Sequence, residues 1–143
     1  MTSATMDTRA GVTGDHLETP VRDIMTPGVV TIVEDASLRS TYRALVSHDV
    51  HAVLVVGRTG GTPLGWVTAR GLLAWMQSAE HAFLRARDAI SERPETISPS
   101  ATAREALTAL SHTGVTHLLV AAHPDQLPEG VVGESDLVRL AAA

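Results

Sequence analysis

The sequence predicts an α/β protein of mixed α+β type, built from two β-α-β-β-α repeats. Three observations carry this. Sliding the chain by sixty-five residues aligns it on itself from Arg22 to the C-terminus without a gap, and about a quarter of the paired positions are identical. Within each copy, short β-branched runs alternate with apolar residues at helical spacing. Each copy is near 60 residues, too few to bury much core alone, so the two copies are expected to pack on each other.

The elements follow in order. Residues 1–19 are polar without apolar periodicity and read as a disordered or loosely attached tail, with repeat one at 20–80 and repeat two at 81–143. Val21–Met25 reads as a helical turn, ended by Thr26-Pro27-Gly28. Val29–Val33 reads as a strand, and Asp35 as the N-cap of the next helix. Leu38, Thr41, Tyr42, Leu45 and Val46 share one helical face. Ala52–Val56 lacks polar alternation and reads as a central strand buried on both faces. Arg58–Pro63 is turn chemistry, and Leu64–Val67 returns as the hairpin partner of 52–56. A longer helix follows from about Arg70, with Leu72, Leu73, Trp75 and Met76 apolar, continuing or breaking near Ser78 before Ala82-Phe83-Leu84. In the second copy Arg87-Asp88 stands for Arg22-Asp23, Thr96-Ile97 for Thr31-Ile32, Ser100 for Asp35 as N-cap, and Gly130 for Gly65.

Composition narrows the function. No apolar run approaches the eighteen or so residues of a membrane span, and the N-terminus lacks the pattern of a signal peptide. The chain therefore reads as cytoplasmic, with no membrane partner. The absence of cysteine excludes disulfide and thiolate chemistry. A net charge of −5 with one Tyr and one Phe argues against nucleic acid. No nucleophile turn, paired general acid and base, or Walker-type phosphate loop is present, so no catalytic residue is assigned and the protein is not expected to be an enzyme. His48 and His51 straddle a helix end with only Asp49 nearby, which does not make a metal site.

Each copy ends in a strand-turn-helix junction: GWVTARG at 65–71 and GVVGESD at 130–136. Such a junction offers backbone N–H groups and a carboxylate at a helix start. With VRDIMTPGVVTI at 21–32 and GVTHLLV at 114–120, these stretches resemble the cystathionine-β-synthase (CBS) domain, and the chain from about 20 to 143 resembles a tandem CBS pair, or Bateman module. The resemblance implies two repeats related by a pseudo-twofold, with clefts between them that bind AMP, ADP, ATP or S-adenosylmethionine. It implies a homodimer acting as a regulator or sensor on an effector protein in trans, with no required cofactor.

The family signature closes each copy with Gly, two apolar residues, Ser or Thr, two variable residues and Asp. Here it is divided. Copy one keeps Thr68 but has Gly71 in place of the Asp; copy two keeps Asp136 but has Gly133 in place of the hydroxyl. The Asp carboxylate suits the two hydroxyls of a ribose, and the helix start suits a phosphate. The main cleft is therefore expected at Thr96, Ile97, Thr116, His117, Glu134, Ser135 and Asp136. A second, weaker one is expected at Thr31, Ile32, His51, Ala52, Thr68 and Arg70. Beside these stand plainer roles: a helix-start carboxylate for Asp136, an N-cap hydroxyl for Thr68 (the favoured reading there), and a packed structural His for His117. The alternative function is a structural dimerisation or interaction module without a ligand.

Overall fold

A computed structural model describes residues 16–143. In chain order its elements are β1 (Thr26–Pro27), β2 (Thr31–Val33), α1 (Leu38–Ser47), β3 (Ala52–Val56), β4 (Pro63–Thr68), α2 (Ala69–Leu73), β5 (Thr96–Ile97), α3 (Ala103–Thr113), β6 (His117–Val120), β7 (Gly130–Gly133) and α4 (Glu134–Ala142). Short 3-10 turns precede the copies at Val21–Asp23 and Ala86–Ala89. The mixed α+β class and the repeated β-α-β-β-α order are as the sequence predicts. Two compact units result. One is contiguous, Val29–Pro94; the other joins the described residues up to Gly28 with Glu95–Ala143.

In the contiguous unit β2 runs parallel to β3, and β3 antiparallel to β4. Val53 and Val55 face a core shared with Leu38, Leu45, Val67, Leu72, Ala86 and Ala89. Ala52 and Leu54 are buried as well, so β3 has both faces covered, as its unbroken apolar run predicts. In the other unit the sheet order is β1-β7-β6-β5. Its core gathers Val21, Ala106, Leu110, Val115, Leu118, Val120 and Val132.

Several element boundaries differ from expectation. Asp35 does not cap α1: its carboxylate meets Arg58 at 3.1 Å, and Ser37 caps instead, accepting from the Ser40 N–H. Ser100 does not cap α3 either. Thr102 does, in a reciprocal box with Glu105. Ser37 and Thr102 are sixty-five residues apart, so the repeat phase is right and both helices start later than expected. Val46 is 80% exposed, because at 100° per residue it lies beyond the stripe centred on Leu38, Thr41 and Leu45. The helix from Arg70 is short, ending at Leu73, and Leu73 and Met76 are exposed. Gly71 sits in its first turn, where glycine costs about 1 kcal/mol relative to alanine, and five residues are too few to repay nucleation.

Two features reach beyond the predicted pattern. Ordered structure begins before Pro20. The Thr19 carbonyl accepts the Ala103 N–H at 2.8 Å, and Glu18 meets Arg104 at 3.1 Å; the rest of the expected tail lies outside the described residues. Thr26-Pro27 is not merely a helix stop. It is an edge strand, antiparallel to β7, with Thr26 opposite Val131 and Pro27 opposite Gly130. Sixty-five residues on, the contiguous unit has a shorter counterpart, a single antiparallel bridge from Glu92 to Trp66. The bridges Pro20–Thr102 and Ser37–Arg85 repeat the relation. Each copy's leading segment thus docks on the helix and hairpin of the other copy. The approach is close. A Cβ at Gly65 would stand 2.4 Å from Ile90 Cγ2, and one at Gly130 2.5 Å from the Thr26 carbonyl oxygen. Glycine is required at both places.

Candidate functional site

The divided motif has a simple local geometry. In the contiguous unit, Thr68 is the N-cap of α2, and its Oγ1 accepts the Gly71 N–H at 2.9 Å. In the other unit Gly133 is the N-cap of α4, and the Gly133 N–H donates to Asp136 Oδ2 at 2.7 Å. Thr68 and Gly133 are cap positions, while Gly71 and Asp136 are third helical positions. These are the two positions of a capping box. One copy retains the hydroxyl half and the other the carboxylate half.

Asp136 is 6% exposed. Besides the Gly133 N–H, its carboxylate takes two further donors on Oδ1: the Thr26 hydroxyl at 3.2 Å and the Arg139 guanidinium one turn along. Charge-assisted bonds and the positive end of α4 suit a carboxylate here. The matching contact in the contiguous unit joins Thr68 Oγ1 to Ser91 Oγ at 3.3 Å. Thr26 and Ser91 are sixty-five residues apart, and each puts a hydroxyl on the surviving half of a motif. Sequence reasoning missed both, since it read Thr26 as a helix stop and gave Ser91 no role; their equivalence under the repeat was the available signal.

Around Asp136 the structure gathers part of the expected main set. His117 lies opposite Gly133 in the β6–β7 register, and the Thr116 hydroxyl meets His117 Nδ1 at 2.8 Å. A Cβ at Gly133 would stand 3.4 Å from both His117 Cδ2 and the Thr116 carbonyl, which is ordinary van der Waals contact. Glu134 and Ser135 are exposed in the first turn of α4. Thr96 and Ile97 lie one strand further off, opposite Leu119 and Val120. In the contiguous unit Ala52 pairs with Thr68, and the His51 carbonyl accepts the Ala69 N–H at 2.8 Å. Thr31 and Ile32 pair with Leu54 and Val55, further along β3. Arg70 is exposed on the second helical residue.

Other features stand apart from these junctions. A cavity of about 450 Å³ lies at the far end of the β3–β4 hairpin, bordered by Glu34, Gly57, Arg58, Thr59, Thr62 and Arg87; none of the residues expected to bind ligand reaches it. Among the described residues no group of three His, Asp or Glu side chains is arranged to hold a metal ion, and His48 Nδ1 instead lies 3.0 Å from the Ala44 carbonyl. Burial pushes the Tyr42 phenol up, where its ring stacks on His81 with centroids 5.5 Å apart. No helix among the described residues is long and apolar enough to cross a membrane.

The sequence matches the CBS domain family twice, over residues 21–78 and 86–143. Among solved structures, the chain resembles the CBS domain of the bacterial CNNM/CorC family Mg2+ transporter in complex with ATP (22% identity, TM-score 0.79, 94% of each chain covered). It also resembles the CBS domain of a CBS-domain-containing membrane protein from Sphaerobacter thermophilus (20% identity, TM-score 0.75, 93% of this chain and 94% of that one). A third likeness is the CBS-domain-containing protein ATU1752 from Agrobacterium tumefaciens (22% identity, TM-score 0.74, 87% and 94%). No curated protein sequence matches.

Proposed function

The chain belongs to the CBS-domain family, in tandem form, and from that premise we propose that it is a non-catalytic sensor binding an adenosyl ligand at the β7–α4 junction. AMP, ADP, ATP and S-adenosylmethionine are the candidates. The observation carrying this is the buried Asp136 carboxylate at the first turn of α4. A carboxylate in that place can accept the paired hydroxyls of a ribose. Exposed Glu134 and Ser135 bring their backbone N–H groups to the same helix start, where a phosphate is favoured. The β6 start at Thr116-His117 supplies a polar edge beside aliphatic Leu118, suited to a purine. The solved ATP complex of a structural neighbour supports the ligand class. The Thr68 junction, lacking a carboxylate, is the weaker site.

The output is linkage. The ligand favours one arrangement of the chain, and a homodimer or an effector protein in trans reads it. A second reading is a ligand-free interaction module, favoured by the caps that Thr68 and Asp136 already make. Thermal melts with millimolar AMP, ADP, ATP, S-adenosylmethionine and NAD separate the two. A ligand at a hundred times its Kd stabilises by about 2.7 kcal/mol. A rise in Tm lost in Asp136→Ala, a variant first checked for folding by circular dichroism, is the expected result. No rise with any of the five would favour the interaction module.

A further inference from the structure

Building on the sensor reading, we propose that Thr26 sets the site's affinity for a cis-diol by holding the place of one ribose hydroxyl on Asp136. A carboxylate has about four acceptor positions. Three are taken: Oδ2 by the Gly133 N–H, and Oδ1 by both Thr26 and Arg139. One remains, on Oδ2. A ribose presenting two hydroxyls needs two, so one internal donor must leave.

The three donors are unequal. The Gly133 N–H is a backbone group on a buried residue, bonded at 2.7 Å, and its release would uncap α4. Arg139 is charged, and its bond to a carboxylate is of the stronger class. Thr26 is a neutral donor at 3.2 Å on an exposed residue, so water can take its hydroxyl once it is freed. Thr26 is therefore the donor that yields. It sits on β1, whose pairing with Val131 and Gly130 is made by backbone, so removing the hydroxyl leaves the strand's own bonds intact. The same relation in the contiguous unit, Ser91 on Thr68, shows that a leading-segment hydroxyl on the motif is a repeated feature of the fold.

The test compares wild type with Thr26→Val by isothermal titration with AMP, ATP and S-adenosylmethionine, and with 2′-deoxy-AMP. A ligand offering a single sugar hydroxyl fits the free Oδ2 position and displaces nothing. The valine variant should bind the ribose ligands about two- to tenfold tighter, the range one neutral hydrogen bond spans, with 2′-deoxy-AMP unchanged. Equal affinity of the two proteins for AMP, with Asp136→Ala weakening both, overturns the role of Thr26 and leaves the sensor reading standing. Weaker binding by the valine variant would make Thr26 a direct ligand contact and overturn the proposal too. Binding by neither protein to any of these compounds overturns the proposal and the sensor reading together.

Discussion

Asp136 holds three donors at once while 6% exposed, and Gly133 in front of it has no side chain to return the favour. The cap is half built. Gly133 has an ordinary backbone angle of φ −120°, and the space for a Cβ is in normal van der Waals contact with its neighbours. A Gly133→Ser variant should therefore complete the box, its hydroxyl oxygen accepting the Asp136 N–H, and raise stability by about 0.3 kcal/mol in urea unfolding. The converse repair is harder. A Cβ at Gly71 would stand 3.0 Å from both Ser91 Oγ and Thr68 Oγ1, so Gly71→Asp should give a smaller gain or none in the same titration. The identity of the motif residues was legible in the sequence, because phase under the repeat locates them. Their partners were not. Thr26 lies 110 residues from Asp136, and no local pattern reports such a contact.

The leading segments pair over one or two residues, Glu92 on Trp66 and Thr26-Pro27 on β7, and both succeed through glycine. Gly65 has φ +156°, outside the range side chains favour, and its Cβ would meet Ile90 and the Glu92 carbonyl. At Gly130 the obstacle is the Thr26 carbonyl at 2.5 Å, with Met25 Sδ at 2.8 Å. Backbone cannot yield as a flexible side chain does. Gly65→Ala and Gly130→Ala should each lose about 1–3 kcal/mol by chemical denaturation. Gly130→Ala should in addition speed amide exchange at Gly28, whose N–H donates to the Glu129 carbonyl. These glycines are in phase in the sequence, which marks them as structural, but their reason is tertiary. Helix ends show the same limit. Asp35 and Ser100 are good cap types in the right phase, yet Ser37 and Thr102 win because the apolar faces of the helices begin at Leu38 and Ala103, directly after them. The β3–β4 hairpin and the β3 core strand match the sequence reading, since a β-branched run and the Gly60-Gly61 turn are local signals.

For the whole molecule, the compact units are not the sequence repeats. The contiguous core draws on Ala86 and Ala89, beyond residue 80, and the other draws on Val21, before residue 81. A fragment of residues 29–94 contains all of one core, whereas a fragment of residues 20–80 lacks part of it and carries a leading segment with no β7 to join. Circular dichroism and amide exchange should find the 29–94 fragment the more structured of the two. Mixing 20–80 with 81–143 should restore order that neither shows alone. The exchange of leading segments also bears on how such a chain can change over generations. Losing one copy by deletion would take an edge strand from the survivor as well as half the length, so duplication here works as a ratchet. The copies are free to diverge in chemistry, as Thr68 and Asp136 have, because neither can be discarded.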